Sequence, residues 1–218
     1  MKGIIFDLDG TLINSLQDIA LCMNDVLKQF NHKTHDIKEY NYFVGDGALV
    51  LTQNVLPKNS TQQEIQKVLE RFKEVYNLNI YHNTKPYEGI IDLLKKLEKE
   101  QFKLGILSNK PHKFTLQYAQ KHFNDLNFQE IHGQKENIPK KPHPLGALNI
   151  AESFNLKTNE IFYVGDTSTD MKTASNANMK SIGVAWGFRP VEELLEYKAD
   201  FIANNPEELF DIIMSAKS

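Results

Sequence analysis

Apolar residues along this chain fall into two rhythms. Short runs rich in β-branched and aromatic residues recur at Ile4-Ile5-Phe6, Lys103-Leu104-Gly105-Ile106-Leu107, Glu160-Ile161-Phe162-Tyr163-Val164 and Ser181-Ile182-Gly183-Val184. Phe128-Gln129-Glu130-Ile131 is a weaker example, and Phe201-Ile202 reads as a short edge strand. Each run is bounded and short enough to be a strand. Between them lie stretches with apolar residues at helical spacing, of which Ile90-Ile91-Asp92-Leu93-Leu94-Lys95-Lys96-Leu97 is typical. Strand alternating with helix requires crossover connections, and so predicts a mostly parallel sheet covered by helices on both faces.

Residues 15–84 depart from this rhythm. A long helical pattern runs from about Leu16 to Phe30, and no convincing strand follows it. Thr61-Gln62-Gln63-Glu64 has the form of a capping box opening a helix with Ile65, Val68, Leu69, Phe72 and Val75 on one face. The expected fold is therefore a Rossmann-like, three-layer α/β core from residues 1–14 and 85–218, with residues 15–84 inserted as an all-helical cap. An insertion just past the carboxyl end of a strand lies above the crevice where open α/β sheets bind ligands. Near the end, Asn205-Pro206-Glu207-Glu208 reads as a cap, a proline at the first helical position and an acidic first turn.

Composition narrows the classes of function. No run approaches the roughly 20 apolar residues needed to span a bilayer. The opening Met1-Lys2-Gly3-Ile4-Ile5-Phe6 reaches a carboxylate at Asp7 after three apolar residues, too soon for a secretory signal. The single cysteine, Cys22, excludes an internal disulfide and fits a reducing cytoplasm; its apolar neighbours suggest a buried structural thiol. Twenty-five basic and 28 acidic residues give a formal charge of -3 without a basic stripe, which speaks against nucleic acid and for a small-molecule partner.

Candidate chemistry gathers at the strand ends. Asp7-Leu8-Asp9-Gly10-Thr11 follows the first strand, so that Asp7 and Asp9 can approach one point while Leu8 faces away. Gly10 permits a backbone conformation in which N–H groups converge on an anion. Two carboxylates 4 Å apart at an effective dielectric near 20 repel by about 4 kcal/mol, so the pair needs a cation or a shared proton, unless it is a solvated turn. Gly165-Asp166-Thr167-Ser168-Thr169-Asp170 follows another strand, and in a parallel sheet both clusters reach the same edge. Such a set of hard oxygens suits Mg²⁺, although Asp170 could equally cap the following helix. Ser108, in Ser108-Asn109-Lys110, could hold a phosphoryl oxygen or cap a helix; Lys141, in Lys140-Lys141-Pro142-His143-Pro144, could neutralise phosphate, with Lys140 as solvated surface.

These four segments, in this order, resemble the motifs of the haloacid-dehalogenase-like phosphatases, and the resemblance covers almost the whole chain. Val44-Gly45-Asp46-Gly47, Lys141-Pro142-His143-Pro144 and Gly183-Val184-Ala185-Trp186-Gly187-Phe188-Arg189 resemble the phosphoglycolate phosphatase group in particular. Dehalogenases and phosphonate hydrolases of the superfamily lack a second aspartate at the position of Asp9. The resemblance implies Asp7 as nucleophile and Asp9 as acid, then base. It implies Mg²⁺ held by Asp7, Asp166 and the Asp9 backbone carbonyl, with Asp170 orienting its water. Phosphate would be bound by Ser108, Asn109, Lys141, Gly10 and Thr11. Gly45 and Gly47 are candidates for a specificity loop over the site or for an ordinary turn between helices, and Arg189 for pairing with a substrate carboxylate or for a surface ion pair. The implied substrate is a small phosphorylated metabolite, phosphoglycolate first. A sugar phosphate, nucleotide or pyrophosphate, a mutase reaction, and a non-catalytic binding module are the alternatives.

Overall fold

The computed structural model describes residues 2–79, 82–136 and 138–216. Its strands are β1 (Gly3–Phe6), β2 (Ile13–Asn14), β3 (Lys85–Pro86), β4 (Lys103–Pro111), β5 (Phe128–Gln134), β6 (Ile161–Gly165), β7 (Lys180–Val184) and β8 (Phe201–Ala203). Its α-helices are α1 (Leu16–Gln29), α2 (Tyr40–Phe43), α3 (Ala48–Val55), α4 (Gln62–Asn79), α5 (Ile90–Lys99), α6 (His112–Phe123), α7 (Leu145–Ser153), α8 (Ser168–Asn176), α9 (Val191–Glu196) and α10 (Pro206–Ser215). Among the described residues no helix is long and apolar enough to cross a membrane.

Six strands form one parallel sheet in the order β5-β4-β1-β6-β7-β8. The chain starts in the middle, at β1, builds outward through β4 and β5, then crosses back to β6 on the other side of β1. That reversal creates a crevice beyond the carboxyl ends of β1 and β6.

Side-chain alternation divides the strands between two apolar layers. Ile4 and Phe6, with Leu104, Ile106, Phe162 and Val164, face Leu93, Leu94 and Leu97 of α5, Phe114 and Tyr118 of α6, and Leu209 and Ile213 of α10. Ile5, Ile161 and Tyr163 face Ala147 and Ile150 of α7 and Ala174 of α8 on the opposite side. The layered α/β core expected from the sequence is present. Asn205 accepts from the Glu208 N–H (2.9 Å) with Pro206 in the first turn of α10, also as expected.

Helices α1–α4 lie between β2 and β3. These two-residue strands pair antiparallel, Ile13 with Pro86 and Asn14 with Lys85, so both chain crossings run side by side. The apolar faces of α1 (Ile19, Met23, Val26) and α4 (Ile65, Val68, Phe72, Val75) are buried in the larger cluster. Thr61 accepts from the Glu64 N–H at 3.2 Å, while the Glu64 carboxylate lies 3.0 Å from His32 Nε2. Cys22 is buried, and burial pushes its thiol up to about 11, the state of a structural cysteine.

Asp18, in the first turn of α1, ties the crossings together. Its buried carboxylate accepts from the Asn83 N–H (2.9 Å) and Nδ2 (2.8 Å), and from the Thr84 N–H (2.9 Å) and Oγ1 (2.6 Å). Removing it strands the buried Thr84 N–H and hydroxyl and frees the exposed Asn83 donors. Asp18→Ala is therefore expected to lower unfolding free energy by about 2–4 kcal/mol. Urea denaturation measures this, and an unchanged midpoint would show that the clamp contributes nothing.

Candidate active site

The chain delivers its acidic residues to the crevice by ending strands there. Asp7 directly follows β1, and its N–H donates to the Val164 carbonyl of β6 (2.9 Å). Asp166 directly follows β6, and Asp170 lies in the first turn of α8. Asp7, Asp166 and Asp170 are all buried, and each offers an oxygen within 4.8 Å of the others.

Lys141 enters this group from the loop before α7. Its buried ammonium lies 2.8 Å from Asp7 Oδ1 and 2.7 Å from Asp170 Oδ1. Asp170 Oδ2 accepts from the Thr167 N–H (3.1 Å) and hydroxyl (2.7 Å). Asp170 therefore closes the first turn of α8, one of the two roles the sequence offered, and also grips the lysine, a contact the sequence did not reveal. Asn109 fixes the Lys141 main chain, accepting from its N–H (2.9 Å) and donating to its carbonyl (3.2 Å).

Asp166 is held by Thr11 Oγ1 (3.0 Å) and the Phe188 N–H (2.8 Å). It fits because glycines flank it: a Cβ on Gly10 would lie 2.2 Å from Asp166 Oδ2, and one on Gly187 would lie 2.1 Å from Asp166 Cβ. This changes the reading of Gly10. Its N–H donates to the Ile13 carbonyl (2.9 Å) rather than facing an anion, so the glycine serves close approach of a carboxylate. Thr11 likewise acts through its hydroxyl on Asp166.

Ser108, Asn109 and Lys110 lie within β4, not after it. The β4–β5 ladder shifts register between Leu107 and Pro111, which frees this stretch to face the crevice. Ser108 lines a cavity of about 50 Å³ together with Asp7, Asp9, Gly45, Gly47 and Lys110. Its remaining wall is mostly apolar, from Ile19, Val44, Leu51, Phe72 and Phe114, with Lys73 of α4 also lining it.

Three placements differ from the sequence reading or were missing from it. Arg189 lies outside the cavity wall: its Nη2 donates to the Val44 carbonyl (3.0 Å) and its Nε lies 3.2 Å from Glu193 Oε2. Lys140 is not merely solvated, since its ammonium donates to the Asp46 carbonyl (2.7 Å). With Thr169 Oγ1 on the Asp46 carboxylate (2.8 Å) and Asn109 Nδ2 on the Gly45 carbonyl (3.1 Å), these side chains hold the Val44–Gly47 loop over the site. Lys110 was not singled out at all, yet its buried ammonium donates to both oxygens of Asp9, at 3.0 and 3.1 Å. Ser15 Oγ donates to Asp9 as well.

A family model of haloacid dehalogenase-like hydrolases matches residues 4–184. The chain belongs to this family. It is 27% identical over 219 residues to a phosphoglycolate phosphatase of Vibrio parahaemolyticus, covering 98% of this chain and 96% of the relative. A phosphoglycolate phosphatase of Haemophilus influenzae is 29% identical over 217 residues, with 96% and 94% covered. A crystal structure from Lactobacillus delbrueckii subsp. bulgaricus, described as a candidate phosphoglycolate phosphatase, superposes with a TM-score of 0.93 at 29% identity, covering 98% of this chain and 99% of that one.

The charges of this haloacid dehalogenase-like site are unbalanced. Three buried carboxylates share one buried ammonium, which pairs with Asp7 and Asp170, so the group would carry an excess of two negative charges when all three are ionised. Burial pushes the Asp7 carboxyl up to about 7, against the pull of Lys141 and with a further push from Asp170. Burial, then Asp170 and Asp7, raise Asp166 well above the usual carboxylate range. Lys141 is held well above its ordinary value, because Asp170 and Asp7 outweigh the cost of burying its charge. An oxygen-lined, over-negative, dry site fits a divalent cation such as Mg²⁺.

The sign of the pH effect follows. Between 3.8 and about 7 the folded chain keeps a proton on Asp7 that the unfolded chain has released, so metal-free stability falls as pH rises through that window. A cation competes with that proton. The rise in melting temperature caused by Mg²⁺ is thus expected to be larger at pH 8 than at pH 5.5, and to be lost in Asp166→Asn. Thermal melts with and without Mg²⁺ measure it; an equal shift at both pH values would contradict the charge imbalance.

Proposed function

We propose that this chain is a magnesium-dependent phosphatase for a small phosphate monoester, phosphoglycolate foremost, working through a phosphorylated Asp7. The observation that carries this reading is the under-neutralised cluster of Asp7, Asp166 and Asp170, with a further carboxylate, Asp9, lining the same cavity as Asp7. Relatives named as phosphoglycolate phosphatases align over nearly the full length, which supports the choice of substrate.

Asp7 attacks phosphorus in line and Asp9 gives a proton to the departing alcohol oxygen; Asp9 then takes a proton from the water that hydrolyses the aspartyl phosphate. Lys141 holds the Asp7 carboxylate in place and opposes the charge of the transferring group, while Asp170 aims Lys141. Ser108 offers its hydroxyl to a phosphoryl oxygen. Asp7, Asp166 and the Asp9 backbone carbonyl would hold magnesium, which supplies positive charge to the phosphoryl oxygens.

Residues 15–84 act as a cap in this reading. Gly45 (φ 128°) and Gly47 (φ 88°) give the loop its course over the site, and Arg189 serves as a clasp for that loop. The substrate carboxylate then falls to Lys73, which reaches the cavity from α4. The buried lone cysteine accords with a cytoplasmic enzyme.

A panel of phosphate esters, assayed with Mg²⁺ beside an Asp7→Asn variant, tests the proposal. Phosphoglycolate is expected to be turned over fastest, and Asp7→Asn to lose at least about 1,000-fold in kcat. Similar rates on all esters would indicate a generalist, and no turnover by either protein would indicate a binding module.

A further inference from the structure

Lys110 pairs with Asp9 rather than with Asp7, and it is among the most enclosed cations of the described residues. Its side chain is 4% exposed. The ammonium sits 4.8 Å from the centre of the Tyr76 ring and 4.9 Å from that of Tyr118, and it donates to both oxygens of Asp9. The two tyrosine hydroxyls share a hydrogen bond of 2.8 Å, which closes the cage. Lys110 and Tyr118 belong to β4 and α6, whereas Tyr76 belongs to α4, within the stretch between β2 and β3.

A lysine has a long flexible stem and grips poorly unless its path is constrained. Here the two rings supply that constraint, and a cation between aromatic faces is itself stabilised. An ammonium bound to one carboxylate oxygen leaves the group free to pivot, whereas contact with both fixes the plane in which Asp9 presents its oxygens to the cavity. Half of the cage arrives with α4, so the grip is complete only when that helix is seated against α6.

We propose that Lys110 is a positioning residue for Asp9, caged by Tyr76 and Tyr118, and that Tyr76 makes the aim of Asp9 depend on the seating of α4. The inference rests on Asp9 being the proton donor to the leaving group. In that step the P–O bond breaks with its electron pair going to the ester oxygen, and the proton passes from Asp9 to the same oxygen. An ester whose leaving oxygen is stable as an anion needs that proton little, and one whose oxygen is basic needs it greatly. A misaimed Asp9 therefore penalises the second kind selectively. A lysine that merely bound phosphate, or merely stabilised the fold, would affect both kinds alike because the phosphoryl group is the same.

The test compares kcat/KM for p-nitrophenyl phosphate and phenyl phosphate, which are close in shape but differ in leaving-group basicity, in wild type, Asp9→Asn, Lys110→Met, Lys110→Arg and Tyr76→Leu. Lys110→Met is expected to lower the phenyl/p-nitrophenyl ratio by about tenfold or more, in the direction set by Asp9→Asn. Tyr76→Leu should move the ratio the same way by less, and Lys110→Arg should restore part of it. Equal losses on both esters, or none, in Lys110→Met and Tyr76→Leu overturn the inference while leaving the phosphatase reading intact, provided that Asp9→Asn is selective. Should Lys110→Met fail to fold, as thermal melts would reveal, Tyr76→Leu decides alone. An unselective Asp9→Asn overturns the role of Asp9 and this inference with it.

Discussion

Three carboxylates and one ammonium share a buried volume beyond the ends of β1 and β6, and most of what surrounds them is arranged to make that tolerable. Charges in a dry interior repel far more strongly than in water, and a buried carboxylate without compensation drifts toward its neutral form. Lys141 answers part of the problem by touching Asp7 and Asp170 together. Thr11, Thr167 and the Phe188 N–H answer another part by donating to Asp166 and Asp170. The remainder is a standing deficit of positive charge. Two of the group, Asp7 and Asp166, are pushed upward by burial and by their carboxylate neighbours, as befits acids that share too little positive charge.

The sheet order explains how such an expensive arrangement is assembled from remote segments. With β1 in the centre, its neighbours are β4 and β6, so residues at three strand ends arrive side by side without any long loop. Asp7 comes from β1, Asp166 from β6, and Ser108 through Lys110 from the stretch of β4 that slips out of register with β5. Asn109 then draws in the Lys141 loop by its main chain. The apolar alternation that buries Ile4 and Phe6 on one face and Ile5 on the other is what holds the strand ends in place.

Much of this was legible in the sequence, for identifiable reasons. Apolar runs that stop at an aspartate mark strand ends, and a parallel sheet brings those ends to one edge, so Asp7, Asp166 and Asp170 could be grouped before any coordinates, with Lys141 added by the family resemblance. Short elements were lost: Ile13-Asn14 and Lys85-Pro86 carry too few residues to show a period, and their pairing depends on partners far apart in the chain. Side-chain commitments were lost as well. Nothing in Gly187-Phe188-Arg189-Pro190 reveals that the guanidinium is taken by the Val44 carbonyl and Glu193. Nor does Ser108-Asn109-Lys110-Pro111 reveal that the lysine lies between rings from α4 and α6. For Gly10 the special backbone (φ 87°) was foreseen and its purpose was not, because the clash it avoids involves a residue from β6's end.

These commitments share a direction. Asn109, Lys140, Thr169 and Arg189 seize the loop that passes over the cavity, and Tyr76 meets Tyr118 beneath it. The contacts to the loop fall mainly on backbone carbonyls, which any sequence supplies, whereas the cavity wall beside them is built from side chains such as Ile19, Leu51, Phe72 and Lys73. The groups that anchor the loop and the groups that shape the cavity are thereby separate. The wall can change its residues, and so its fit, without disturbing the clasps or the charged cluster below. The cluster comes from the strand ends and much of the cavity wall from α1, α3 and α4, so one can vary without the other, which is why the fold alone does not name the substrate.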